Sequence, residues 1–302
     1  MNSENLRIAT LVPAATDIVC ALGLGSSIVA VSHECDHPMA EGLAVATSSN
    51  VPAAGVGGEA SASEVDAAVS AAVAAGQALY GVDTGLLASL EVDLVVSQTI
   101  CDVCAVRSAH FSHELGPDVA FVDLNATSVE GLYADIEAVA AALGVTDRGE
   151  VLNRAVAQRL AAVRGRTRGS TPLRVATIEW TDPLFIGGHW VPEIVELAGG
   201  ANCLGSAGTP SHRIAASDLL AADPQVVLVL PCGFDLDGAH EEAARMSTTS
   251  LVDLPAECQV WALDANRLMS RCTHIVATAV ETVAAILSGD EPDGACARRI
   301  LR

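Results

Sequence analysis

Apolar residues along this chain fall in short unbroken runs, separated by stretches with helical spacing. Ile28–Val31, Leu94–Val96 and Val226–Leu230 contain no polar residue. An alternating strand has one wet face, whereas a strand apolar throughout is buried on both, as in a parallel sheet covered by helices. Between the runs, Thr16 or Asp17 is placed to cap a helix through Ala21 and Leu22, ended by Gly23 and Gly25. Ser63–Ala75 carries Val65, Val69 and Val73 one turn apart. Thr127 and Glu130 have capping-box spacing for a helix running to Leu143, before Gly144. A second helix is expected from about Asp147 to Arg164, with Leu152, Val156, Leu160 and Val163 on one face, about 27 Å long. Arg164–Pro172, with Gly165, Gly169 and Ser170, reads as a loop.

A weak internal repeat runs through this pattern. Leu6-Arg7-Ile8-Ala9-Thr10 recurs as Leu173-Arg174-Val175-Ala176-Thr177, and Leu90–Ser97 leads to Cys101 as Leu220–Leu230 leads to Cys232. Val119-Ala120-Phe121-Val122-Asp123-Leu124-Asn125 recurs as Val260-Trp261-Ala262-Leu263-Asp264-Ala265-Asn266. Three matches in one order predict two α/β lobes with equivalent strands: residues 1–126, connecting helices over 127–168, and residues 169–302. In open α/β sheets ligands bind beyond the carboxyl ends of the strands, so the residues following each run carry the candidate chemistry.

Composition narrows the function. The chain has 302 residues, 51% of them hydrophobic, enough for about two domains and too apolar for a disordered chain. No apolar run approaches the ~18–20 residues that span a bilayer. A net charge of −21 argues against nucleic-acid binding, which needs a basic footprint. All 16 cationic residues are arginine, as a GC-rich genome would favour, and the acidic excess, which codon bias does not explain, fits a high-salt cytoplasm. Residues 1–7 show no secretory signal pattern, so the sequence as written reads as cytoplasmic, with an extracytoplasmic location requiring a start further upstream.

Four of the nine cysteines follow apolar runs: Cys35 in Ser32-His33-Glu34-Cys35-Asp36-His37, Cys101 and Cys104 in a CxxC, and Cys232 in Pro231-Cys232-Gly233-Phe234. As thiolates facing one cleft they would suit zinc or an iron–sulfur cluster, with His33, Asp36 and His37 as spare ligands. Thiol redox chemistry and inert packing are the alternatives. Trp180, beside Glu179 after Val175–Ile178, offers a flat face to a planar ligand or else completes its lobe's core. Trp190, beside Pro192 in a first helical turn, and Trp261, within a strand, read as structural. Gly187-Gly188-His189 precedes a helix and is placed to offer backbone N–H groups to an anion. No nucleophile–base motif occurs, which favours a binding protein over an enzyme.

Val12–Gly25 followed by Val31–Pro38 resembles the opening of the cobalamin-binding proteins of ABC importers, within the helical-backbone metal receptors. The resemblance continues through Ser63–Leu90, Gln98–Val106, Ile178–Gly200 and Pro231–Asp235. It implies an α/β fold of two Rossmann-like lobes joined by a long helix, of the class III periplasmic-binding-protein type. It also implies a cobalamin, other corrinoid or related metal chelate held between the lobes, with ABC transporter membrane subunits as partners. Trp180 matches the position where importers line the site from the second lobe; His33, Asp36, Glu179, His189 and Phe234 complete the expected ligand set. Leu268 and Met269 stand where importers often place an aromatic over the corrin.

Overall fold

The computed structural model describes residues 6–51, 60–100 and 106–300. In chain order the first half forms β1 (Ile8–Thr10), α1 (Pro13–Ala21), β2 (Ile28–Val31), β3 (Ala44–Val45), β4 (Thr47–Ser49), α2 (Ala62–Ala74), β5 (Tyr80–Val82), α3 (Thr84–Ser89), β6 (Leu94–Gln98), α4 (Ser112–Leu115), β7 (Ala120–Leu124), α5 (Val129–Ala142) and α6 (Thr146–Thr167). The second half forms β8 (Arg174–Thr181), β9 (Leu184–Ile186), α7 (Val191–Leu197), β10 (Ala201–Asn202), β11 (His212–Arg213), α8 (Ala216–Ala221), β12 (Val226–Val229), α9 (Leu236–Ser247), β13 (Gln259–Leu263), α10 (Ala265–Leu268), α11 (Val276–Ser288) and β14 (Ala297–Ile300). Two compact units result. The first takes the described parts of 1–52, 68–126 and 130–155; the second takes those of 53–67, 127–129 and 156–302.

The first unit's main sheet has the order β3-β2-β1-β6-β7, every pair parallel. Ile8, Ala9, Leu94, Val95 and Val96 are almost completely buried, as strands covered on both faces must be. A separate antiparallel pair, β4-β5, sets Thr47 opposite Val82 and Ser49 opposite Tyr80. The second unit's sheet runs β11-β9-β8-β12-β13-β14, with β8, β12 and β13 parallel and β10 also pairing β8. Its core gathers Ile178, Val227, Val229, Val260 and Ala262 from the strands and Leu236, Ala239, Ala243 and Met246 from α9.

The repeated strands occupy equivalent places, β1-β6-β7 in one sheet and β8-β12-β13 in the other. Register refines the repeat. Ile8 lies beside Leu94 and Leu94 beside Ala120, while Val175 lies beside Val226 and Val226 beside Gln259. Ala120 therefore corresponds to Gln259, not to Trp261 as the sequence match has it, a slide of two residues that preserves which face each side chain takes.

Several local expectations are corrected. Helix α1 starts at Pro13, with extended Val12 as its N-cap, because proline at the first turn needs no N–H and fixes φ. Thr16 and Asp17 lie inside that helix, buried, and do not cap it. Helix α5 starts at Val129, two residues after Thr127, and its first N–H, that of Val129, donates to Glu193 Oε2 at 2.8 Å, so a carboxylate distant in sequence takes one of the donors at the helix start. Helix α2 begins one residue earlier than expected, behind a capping box: Ser61 N–H and O–H donate to Glu64 at 2.9 and 2.8 Å, which holds the Glu64 carboxyl below its usual range. Helix α6 continues through Gly165 to Thr167, about 33 Å in all, so the expected loop is shortened to the residues after Thr167.

Asp135 on α5 reaches back to the end of β7, where Asn125 and Ala126 donate N–H bonds at 3.0 and 2.9 Å. Burial raises its carboxyl above the ordinary 3.8, and those donors only partly offset the effect. An acid whose folded pKa is raised holds its proton more tightly when folded, so its contribution to stability is complete below 3.8 and lost as pH rises through the folded value. Denaturant titrations are expected to show the wild-type stability falling relative to Asp135→Asn as pH climbs from 3.8, then running parallel toward neutrality. Wild-type stability that rises relative to Asp135→Asn as pH climbs would contradict this account.

Candidate ligand-binding site

In the second unit, β8 runs on past Ile178 because β9 folds back against it, setting Trp180 opposite Phe185 and Thr181 opposite Leu184. Glu179 and Trp180 therefore sit within the strand rather than after it. Glu179 accepts Gly188 N–H at 3.0 Å on one oxygen and Ser211 O–H at 2.9 Å on the other. Trp180 is half-buried, and its Nε1–H donates to the Ala62 carbonyl at 3.1 Å. The turn after β12 brings up Phe234: Gly233 has φ +82°, reached without strain only by glycine, and donates to Ser270 Oγ at 2.9 Å. The Trp180 and Phe234 rings meet edge to face, centroids 5.8 Å apart at 77°. Exposed Cys232 donates its N–H to the Glu179 carbonyl at 3.0 Å. Glu179, Trp180, Cys232 and Phe234 thus gather at the carboxyl ends of β8 and β12, where ligand contacts are expected.

His189 lies beside this group at φ +52°. The expected anion cradle at Gly187-Gly188-His189 is not formed, because every N–H is used within the fold. Gly187 donates to Thr177 O, Gly188 to Glu179 and His189 to Thr209 O at 2.6 Å. Trp190 and Trp261 are structural as expected: Trp190 is buried with Nε1–H on Met269 O at 2.9 Å, and Trp261 is buried in β13. Leu268 and Met269 are buried too, and present no apolar surface for a ligand to stack on.

In the first unit, the chain leaves β2 through Ser32 into the His33–Asp36 segment. His33 and Asp36 are exposed. His33 N–H donates to Thr47 Oγ1 at 2.9 Å, and its Nδ1 lies 2.6 Å from the same oxygen. The Tyr80 ring is 5.6 Å from that of His33, and its hydroxyl donates to Glu34 at 3.3 Å. Cys35 Sγ–H donates to Thr16 Oγ1 at 3.3 Å. Thr47 and Tyr80 escaped the sequence reading, although Leu79-Tyr80-Gly81-Val82, a short run following Gly76, carries a strand signal.

Cys35 belongs to the first unit and Cys232 to the second, while Cys101 and Cys104 lie outside the described residues. Among the described residues no three side chains of histidine, cysteine or acid type come together as a metal site. The thiols at other positions serve packing. Burial pushes the Cys20 thiol up to about 11, with Asp17 and Cys35 adding to the effect, and burial raises Cys203 and Cys296 as well, so these sulfurs stay protonated.

Residues 8–256 match the family described as periplasmic binding protein. The chain belongs to that family. A vitamin B12-binding protein of Vibrio cholerae serotype O1 is 25% identical over 283 residues, 93% of this chain and 88% of its own. Among solved structures, the periplasmic vitamin B12 binding protein of Vibrio cholerae aligns with a TM-score of 0.65 at 23% identity, covering 93% of this chain and 96% of that one. A periplasmic heme-binding protein from Roseiflexus sp. RS-1 aligns at 0.67 and 23%, covering 94% and 98%. An ABC transporter substrate-binding protein from Listeria monocytogenes aligns at 0.70 and 16%, covering 95% and 100%. These likenesses establish the expected α/β fold of two Rossmann-like lobes, class III among periplasmic binding proteins.

The Glu179 anchorage depends on close backbone approach. A Cβ on Gly188 would lie 2.2 Å from Ser211 N and 2.7 Å from Thr209 O, and backbone atoms cannot swing aside as a flexible side chain does. Gly188→Ala is expected to lower stability by about 1–3 kcal/mol in thermal or denaturant unfolding. The control is Gly165→Ala inside α6, where the added methyl meets nothing within 4 Å. That variant should gain roughly 0.5–1 kcal/mol.

Proposed function

We propose that this protein is the ligand-binding component of an ABC importer, and that its ligand is cobalamin or another corrinoid. The observation that carries the reading is the half-exposed Trp180–Phe234 pair at the carboxyl ends of the second unit's parallel strands. In only 3% aromatic residues, a ring pair at the place where α/β proteins bind ligands offers the broad apolar contact that a corrin face requires. Similarity across 93% of the chain to a vitamin B12-binding protein supports the same ligand class. The relatives named above are binding proteins, and this chain's role is likewise retention and delivery, with membrane subunits of a transporter as the partner.

Titration with cyanocobalamin, followed by absorbance and calorimetry, is expected to give saturable one-site binding with a Kd near or below about 1 μM. Trp180→Ala should weaken it roughly tenfold, about 1.4 kcal/mol, with unfolding curves confirming an intact fold. Competition with hemin separates the ligand classes: hemin binding with no heat or spectral change from any corrinoid would reassign the ligand to a porphyrin chelate.

A further inference from the structure

We propose that Ser270 is a positioning residue for ligand binding, fixing the turn that presents Phe234, an inference that rests on the corrinoid reading above. The residues concerned, within 179–180, 231–238 and 264–273, all belong to the second unit. They gather at the carboxyl ends of β8, β12 and β13, which lie side by side in that order. The backbone of the Phe234 turn is held at four points. Cys232 N–H donates to Glu179 O at 3.0 Å, and Phe234 N–H to Pro231 O at 3.0 Å. Phe234 O accepts Asn266 N–H at 2.8 Å. These three bonds join main-chain groups and do not depend on which side chains stand there. The fourth does: Gly233 N–H donates to the Ser270 hydroxyl at 2.9 Å. Gly233, at φ +82°, permits the turn without fixing it, because glycine has the widest choice of backbone conformation. A side-chain acceptor at that residue supplies the constraint.

Ser270 is itself firmly mounted. Its N–H donates to Ala265 O at 2.8 Å, and Met269 O accepts Trp190 Nε1–H at 2.9 Å. Arg271 Nη2 donates to Asn266 Oδ1 at 3.0 Å, which ties together the chain on either side of Ser270. Within 268–273 every residue is buried except Ser270, which is half-exposed. This stretch follows β13 and stands where the resemblance expects an aromatic over the corrin. Here it braces an aromatic delivered by the neighbouring strand. The Phe234 ring is bounded on its other sides as well. A Cβ on Gly238 would lie 3.0 Å from Phe234 Cδ1, so α9 leaves a notch that the ring uses, and Trp180 meets the ring edge to face at 5.8 Å. A ring ordered before the ligand arrives spares the cost of ordering it on binding, and for one side chain that cost corresponds to about three- to tenfold in affinity.

The probe is cyanocobalamin. Ser270→Ala removes the acceptor and is expected to weaken binding about three- to tenfold, whereas Ser270→Thr keeps the hydroxyl and should bind as the wild type does. In a Phe234→Leu background the ring is gone, and Ser270→Ala should cost nothing further. An equal loss in both backgrounds would overturn the proposal, because Ser270 would then act through something other than Phe234. The ring is also read without any ligand. The chain has four phenylalanines, so labelling with 4-fluorophenylalanine gives one ¹⁹F resonance for each, and Phe234→Leu identifies that of Phe234. Ser270→Ala should shift or broaden this resonance while those of Phe111 and Phe121, in the first unit, stay in place. A Phe234 resonance unmoved by Ser270→Ala would overturn the positioning role with the corrinoid reading intact. Failure of the wild type to bind any corrinoid would overturn that reading, and the fluorine spectrum would still decide whether Ser270 holds the ring.

Discussion

A parallel strand buried on both faces leaves no place along its length for a side chain that needs water around it. That constraint shapes both units. Val226–Val229 and Ile8–Thr10 lie wholly inside, and even Thr10 and Thr177 are fully buried within their strands. Chemistry is therefore confined to the carboxyl ends, where the chain turns out of the sheet and backbone groups lose their ladder partners. In the first unit the His33 network collects at such an end; in the second, Glu179, Trp180, Cys232 and Phe234 do. The strands supply the geometry and the exits supply the function.

The two exits differ in kind. That of β2 presents an exposed imidazole backed by a chain of buried hydroxyls. That of β8 is stiffened by β9 into a hairpin, and its carboxylate, Glu179, is turned inward to hold the loops at Gly188 and Ser211. An acid that reads as a ligand contact in the sequence is thus a brace, with both oxygens occupied. The same economy removes the Gly187–His189 amides from ligand duty, since three N–H groups that close a tight loop have nothing left to offer an anion.

Much of the fold was legible in the sequence because unbroken apolar runs have few other solutions. The runs at Ile28, Leu94 and Val226, the helix near Ser63 and the long helix after Thr146 all stand where periodicity puts them. What escaped depended on contacts distant in sequence. The Val129 N–H finds Glu193, 64 residues away, and no local motif announces such a pairing. The apolar pattern puts Glu179 and Trp180 beyond their strand because the extension of β8 comes from an antiparallel neighbour, invisible to the pattern of β8 alone. Tyr80 and Thr47 become meaningful only once two three-residue strands are paired, segments too short for periodicity to register.

The two-residue slide between the repeated strands bears on how the halves relate. Drift between two copies of a strand is free to occur in steps of two, since each step returns every side chain to its own side of the sheet, whereas a step of one would turn the core outward. Ala120 and Gln259 are such a displaced pair. The lengths of the loops at the two ends must absorb the shift, one gaining what the other loses. Insertions and deletions in these loops are then the record of a strand moving along its own axis, written at the two ends of each sheet.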